Sequence, residues 1–298
     1  MLNIIGKRKI YLGVAGLLVG IGILAVAFFG FRQGIDFTGG TLWQFKLSPE
    51  VTMEQVQSTF QTDLKIEDAR ITYDAKSQTF FVRTPNLGEA EHQSFATALK
   101  TKYGAFEEQS FQSIGPSVGA DLKQKSILAL IFVLVGISLY IAFAFRKVYQ
   151  PVSSWKYGFV TLFTLFHDVA IPAGLLAILG HFGTIEIDTN FIVALLVVMG
   201  FSVHDTIVVF DRIRENLLLS RMKKSFGEIV NESVNQTLAR SINTSLTLIL
   251  VLLALLFAGP ANLHYFILTL LVGVTTGIYS SIFVASPLLY IWQKSSSR

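Results

Sequence analysis

Six long apolar stretches organise the sequence. They run over 10–31, 127–145, 157–179, 191–210, 241–258 and 263–292. Each is close to the ~20 mostly apolar residues that an α-helix needs to cross a hydrocarbon core about 30 Å thick. The pattern predicts six membrane-crossing helices. The fifth is the shortest, and the sixth is long enough to tilt, with Pro287 placed to bend its end. Lys7, Arg8 and Lys9 precede the first stretch, as in a signal peptide. Its apolar run exceeds the ~7–15 residues of a signal core, and Phe28-Phe29-Gly30-Phe31 offers no small-residue cleavage site, so a retained span is expected.

The interval between the first two stretches has a different rhythm. Thr41 to Leu47 alternates, placing Trp43, Phe45 and Leu47 on one face of a strand. Thr52 with Gln55 three residues on is a capping box and predicts a helix over 53–62. Strands are predicted at 69–73 and 79–83, joined by a turn at 74–77, then a helix over 88–103 and a strand over 105–114. Strand, helix, strand, strand, helix, strand is the split βαβ order of ferredoxin-like domains. The fold class is thus a polytopic α-helical membrane protein carrying one α+β domain. The divisions fall at 1–31 (N-terminus and first span), 32–125 (the α+β domain) and 126–298 (a five-helix bundle).

Charge then orients the chain. One side would hold the N-terminus, 146–156, 211–240 and the C-terminus, with Lys7, Arg8, Lys9, Arg146, Lys147, Lys156, Arg212, Arg214, Arg221, Lys223, Lys224, Arg240, Lys294 and Arg298. The opposite short loops, 180–190 and 259–262, carry no Lys or Arg. Positive residues mark the cytoplasmic side, so both termini and the loop 211–240 are expected there, and 32–125 is expected outside. Polar residues 214–238, with Ile229, Val230, Val234 and Leu238 in a narrow stripe, predict a helix lying along the membrane surface. Composition agrees with a bilayer protein: 52% of residues are hydrophobic and only 15% charged. That excludes disorder, a nucleic-acid-binding tail and an ordinary cytosolic enzyme. The formal charge of +4 implies no anionic partner, and with no cysteine there is neither disulfide nor thiolate chemistry.

Against this background, acids inside the apolar stretches stand out. Asp168 is at the middle of the third and Asp205 lies in the fourth. Each costs roughly 2.5–3.5 kcal/mol if it faces lipid. Both follow a histidine, in His167-Asp168 and His204-Asp205. Helix neighbours point about 100° apart, so neither imidazole is expected over its own carboxyl; it would line an adjacent wall. The third and fourth spans should pack antiparallel and bring the two acids near each other. Seven residues after Asp205, Arg212 returns to its helix face, about 10 Å away. Asp211 with Arg214, and Arg212 with Glu215, are spaced to pair. Asn243, Thr244, Ser245 and Thr247 in the fifth span, and Thr275, Thr276, Tyr279, Ser280 and Ser281 in the sixth, offer a polar lining. For these hydroxyls the simpler expectation is bonding to their own backbone. For the paired His-Asp sites a working role is expected. His181 and His264 read as interfacial, and Gly16-x-x-x-Gly20 and Gly273-x-x-x-Gly277 as close-packing seams.

Absent motifs narrow the chemistry. There is no phosphate-binding Gly-x-x-x-x-Gly-Lys-Ser/Thr, no His-Glu-x-x-His and no Gly-x-Ser-x-Gly. No catalytic residue, metal ligand or bound cofactor is expected. Energy must come from a partner or an ion gradient, and a carboxyl in a damp apolar cavity can exchange protons near neutrality.

Three segments carry a resemblance. Gly34-Ile-Asp-Phe-Thr-Gly-Gly-Thr41 follows the first span, Ser113-Ile-Gly-Pro-Ser-Val-Gly119 precedes the second, and Gly200-Phe-Ser-Val-His-Asp-Thr-Ile-Val-Val-Phe-Asp-Arg-Ile-Arg-Glu-Asn216 crosses the fourth. Together with Phe166-His-Asp-Val169, they resemble the motifs of the SecF branch of the SecD/SecF protein-export family, over essentially the whole chain. The resemblance implies a six-helix RND-type half in the bacterial inner membrane, completed by SecD. It implies work beside the SecY–SecE–SecG channel, drawing preproteins outward with the proton-motive force. Asp168 and Asp205 would be relay acids, supported by His167, His204, Asp211, Arg212 and Arg214. His204 stands where the family usually has Asn, and Phe201 where Tyr is common, which leaves H+ or Na+ open as the coupling ion. The rivals are an RND-type exporter of small molecules or lipids, for which the outer domain is small, and an intramembrane aspartyl protease, whose Gly-x-Gly-Asp motif is missing.

Overall fold

The computed structural model describes residues 2–75, 77–146, 152–183, 185–220 and 224–296, with backbone alone at 261, 295 and 296. Lys76 of the predicted turn, and Lys147, Arg221, Lys223 and Arg298 of the charge pattern, lie outside the described residues. The elements in chain order are α1 (Arg8–Phe29), α2 (Ile35–Thr38), β1 (Gly40–Leu47), α3 (Met53–Ser58), β2 (Arg70–Asp74), β3 (Thr79–Thr84), α4 (Glu89–Tyr103) and β4 (Phe106–Ile114). They continue with α5 (Pro116–Ala144), α6 (Ser154–Phe182), α7 (Thr189–Ser220), α8 (Phe226–Ala258), α9 (His264–Ser280) and α10 (Ser286–Ser296). The chain forms two compact units, residues 33–126 and the remainder.

In the smaller unit an antiparallel sheet of four strands is ordered β2-β3-β1-β4. Strand alternation sends Trp43, Phe45 and Leu47 to one face. There they meet Val56 of α3, Phe60, Phe80 and Val82 of β3, and Leu99 of α4. Trp43 is fully enclosed, edge-on to Phe45, Phe60, Phe106 and Phe111. The Thr52–Gln55 capping box forms as predicted. The helix over 53–62 is altered at its end, where Thr59–Asp63 is a π-turn. The φ values of +74° at Gly39 and +118° at Gly40 require glycine there, and a side chain on Gly39 would strike Pro116. The first two family motifs therefore meet in one tight backbone crossing.

Among the described residues, six helical segments are long and apolar enough to cross a membrane, the sixth being α9 and α10 together. Pro287 has no N–H for the carbonyl of Phe283, and the chain adopts a π-helix over Ser281–Ala285 before α10 continues. The helix does not simply bend at the proline; it widens just ahead of it. Pro172 lies inside α6 and likewise deprives the Asp168 carbonyl of its helical donor.

Two expectations are corrected. Residues 214–220 and 226–238 form no single surface helix: they belong to α7 and α8, which run 32 and 33 residues, about 48–50 Å, and continue past the hydrocarbon length as a paired extension. Val230 and Val234 are buried against Val209, Phe210 and Ile213, and a Ser225–Glu228 capping box starts α8. The apolar stripe serves a partner helix rather than lipid. Of the two glycine seams, Gly273 and Gly277 pack on Val198 and Ser202 of α7, but among the described residues nothing lies within 4 Å of where a Cβ on Gly16 or Gly20 would stand. On α1 the close approach is made by Gly22, whose backbone touches Ala170 and Gly174 of α6.

Candidate functional site

Ser202, Asp205 and Thr206 share one face of α7 because they are spaced three and four residues apart. The glycine seam of α9 lies on that face, and this approach carries Ser280 and Ser281 into the bundle centre. Asp168 of α6 is wholly buried there. Its Oδ2 accepts hydrogen bonds from Ser202 Oγ at 2.5 Å and Ser280 Oγ at 2.8 Å. Its Oδ1 is 2.9 Å from Nδ1 of His167. Three partners from three helices thus hold one carboxyl, as burial of a polar group demands.

This corrects the expectation for His167. The backbone directions of neighbouring residues diverge, but the imidazole folds back onto its own carboxyl. The ring lies flat along Tyr279, with centroids 6.3 Å apart. Its Nε2 is buried and makes no hydrogen bond among the described residues.

Asp205 has a separate set of partners. Ser245 Oγ of α8 donates to its Oδ2 at 3.1 Å. Ser241, one turn earlier on the same face of α8, is buried, and its Oγ has no hydrogen bond among the described residues. His204 Nδ1 is 3.9 Å from Oδ1, and its ring is 64% exposed on the flank of α7. It therefore lines no internal wall, and the two His-Asp pairs are not equivalent. No hydrogen bond joins the two carboxyls among the described residues. They are linked through α7: Thr206, next to Asp205, and Ser281 share a hydrogen bond of 2.9 Å, in which one hydroxyl donates to the other and the second is free to donate to the carbonyl of Ser202, the residue bound to Asp168.

Arg212 is placed farther along α7, where Nε donates to Gln236 of α8 at 2.6 Å and Nη1 pairs with Glu215. Arg214 and Asp211 pair at 3.5 Å. Both pairs form as spaced, at the surface, where such pairs contribute at most about 1 kcal/mol. Thr247, Thr275 and Thr276 bond their own backbone, as the simpler expectation had it, whereas Ser245, Ser280 and Ser281 do not stop there. Ser202 and Thr206 escaped the sequence reading, although their position three before and one after Asp205 was the available signal. Asn243 and Thr244 are exposed.

Comparison with known proteins gives this arrangement its context. The family description "Protein export membrane protein SecD/SecF, C-terminal" matches residues 94–295, and the "SecD/SecF GG Motif" matches residues 24–51. The protein translocase subunit SecF of Thermobaculum terrenum is 43% identical, with 98% of this chain and 94% of that protein covered. The SecF subunit of Synechocystis sp. is 35% identical over 94% of this chain and 91% of its own length. The protein translocase subunit SecDF of Thermus thermophilus is 36% identical over 98% of this chain, which spans only 38% of that longer protein. A crystal structure of a Thermus SecDF, described as a translocon-associated membrane protein, superposes with a TM-score of 0.83 at 34% identity over 98% of this chain and 39% of that one. The chain belongs to the SecD/SecF family of protein export membrane proteins.

Proposed function

We propose that this chain is the SecF-type auxiliary subunit of a protein translocase and couples an ion gradient to the outward movement of preproteins. The observation that carries the coupling is the pair of buried carboxyls, Asp168 held by Ser202 and Ser280 and Asp205 by Ser245, with Ser202 and Asp205 one turn apart on α7. Two intramembrane acids are expensive to keep, and a bonded, lipid-shielded network is what a relay needs. Asp168 and Asp205 take up and release the coupling cation, H+ in the first instance and Na+ as the alternative. His167 positions Asp168, and Arg212 with Asp211, Arg214 and Glu215 forms the charged end of the α7–α8 extension. Loading and unloading the acids changes which hydroxyls each carboxyl binds, and so how α6, α7 and α9 pack.

A SecD-type partner supplies the other half. The fused SecDF relatives, in which this chain matches little more than a third, support that reading. The SecY–SecE–SecG channel and the preprotein are the further partners. The strand order β2-β3-β1-β4, with α3 and α4 on one face, supports a ferredoxin-like domain, which we assign to the outer side of the bacterial inner membrane with both termini inside. The chain acts as a transport component and not as an enzyme in its own right. Asp205→Asn, reconstituted with its SecD-type partner in vesicles, should lose gradient-dependent stimulation of export while still assembling. Full stimulation by that variant would overturn the relay.

A further inference from the structure

One face of α8 carries a hydroxyl at every turn: Ser245, Ser241, Thr237 and Ser233, all buried. Ser245 is bonded to Asp205. At the other end Ser233 Oγ accepts from Asn216 Nδ2 at 2.8 Å. Asn216 also donates to Gln236 at 2.9 Å, which takes the Arg212 guanidinium. Those last three residues are at the surface. The row thus runs from the buried carboxyl to water over twelve residues, about 18 Å.

Successive members are four residues apart, a rise of about 6 Å. Two hydrogen bonds through one water span roughly 5.6 Å, so the row has the period of a hydroxyl–water–hydroxyl file. Of its two middle members, Ser241 is 1% exposed, and its Oγ has no hydrogen bond among the described residues. Thr237 bonds only the carbonyls of Ser233 and Val234, which leaves its lone pairs for a donor. The opposite direction from the acids is built differently. There Ala194 and Val198 of α7, Leu252 of α8, and Ile267, Leu270 and Val274 of α9 close into an apolar cluster, with Gly273 seated on Val198.

We propose that the α8 hydroxyl row is the proton route between Asp205 and the water at the Arg212–Glu215 end. The proposal rests on the relay reading of Asp205 and adds its path. A proton given to the file beside Asn216 is balanced by a proton passed from the Ser241 end to the Asp205 carboxylate. No hydroxyl changes its net protonation.

The chain has no cysteine, so single cysteines can be read directly. In the full chain with its SecD-type partner in membranes, Thr237→Cys and Ser241→Cys should react with silver ion, a water-sized thiophilic cation, at least about tenfold faster than Val198→Cys in the apolar cluster. Equal, slow reaction at all three positions overturns the route. The double variant Thr237→Val with Ser241→Ala should slow proton uptake into vesicles about tenfold, the effect of losing one hydrogen-bonded step. If it conducts like the unaltered complex while Asp205→Asn does not, the route fails and the relay stands. If Asp205→Asn also conducts like the unaltered complex, the relay itself fails.

Discussion

Ser280→Ala tests whether Asp168 is held as described. The carboxyl is fully buried and has three partners, of which Ser280 is one, at 2.8 Å. A hydrogen bond to a charged group contributes about 1.5–3 kcal/mol in water-soluble proteins. Between membrane helices measured couplings are smaller, about 0.6 kcal/mol on average and about 1.7 at most, because the unfolded helices also find partners. With a buried acceptor the upper part of that range applies, so Ser280→Ala should lose about 1–1.7 kcal/mol. The assay is a double-mutant cycle with Asp168→Leu, each variant unfolded by detergent from mixed micelles. Thr275→Val is the control, since its hydroxyl bonds only the Leu271 carbonyl on its own helix. Coupling with Asp168 within the ~0.3–0.5 kcal/mol scatter of non-interacting pairs would refute the assigned network.

Other consequences follow from the packing. Gly273→Ala would place a methyl inside the fully buried Val198 side chain, and such overpacking costs about 1–3 kcal/mol, so a lowered unfolding temperature and weakened export coupling are expected together. Trp43→Ala empties the centre of the α+β unit and should destabilise it by about 3–5 kcal/mol, read by hydrogen exchange on β1 and β3 while the helical unit stays protected. The Asp63 hydrogen bond to Lys102, 2.6 Å long, holds the ammonium above its ordinary value of 10.5. That stability is present below pH 10.5 and is lost as pH rises through the raised value, and the pair is exposed, so Asp63→Asn should cost less than about 1 kcal/mol at neutral pH and nothing in stronger alkali, as a thermal melt against pH would record.

The α+β unit was legible because its signals are local. Alternation at Trp43, Phe45 and Leu47 and the Thr52–Gln55 box each specify one element, and both formed. The helical unit was legible in its spans but not in their contacts. Ile229, Val230 and Val234 were read as lipid-facing because nothing in their own segment says that α7 continues beside them. Gly16 and Gly20 match a seam pattern that Gly22 and Gly174 actually fulfil without it, since only the partner helix decides which small residue is needed. His167 was misplaced by treating side chains as spokes fixed at 100°, whereas χ rotations bring the ring to 2.9 Å from its neighbour. The acids themselves were plain, and Ser202 was not, because a serine gains meaning only from the carboxyl that another helix brings to it.

Asp168 and Asp205 are proposed to carry the cation whose movement drives export. Cation entry and preprotein movement, recorded together in vesicles containing this chain, its SecD-type partner and the channel, test this most directly under an imposed H+ or Na+ gradient. The two movements should rise together under one of these gradients, and Asp168→Asn with Asp205→Asn should abolish both without loss of assembly. Cation entry and stimulated export persisting in that double variant would contradict it.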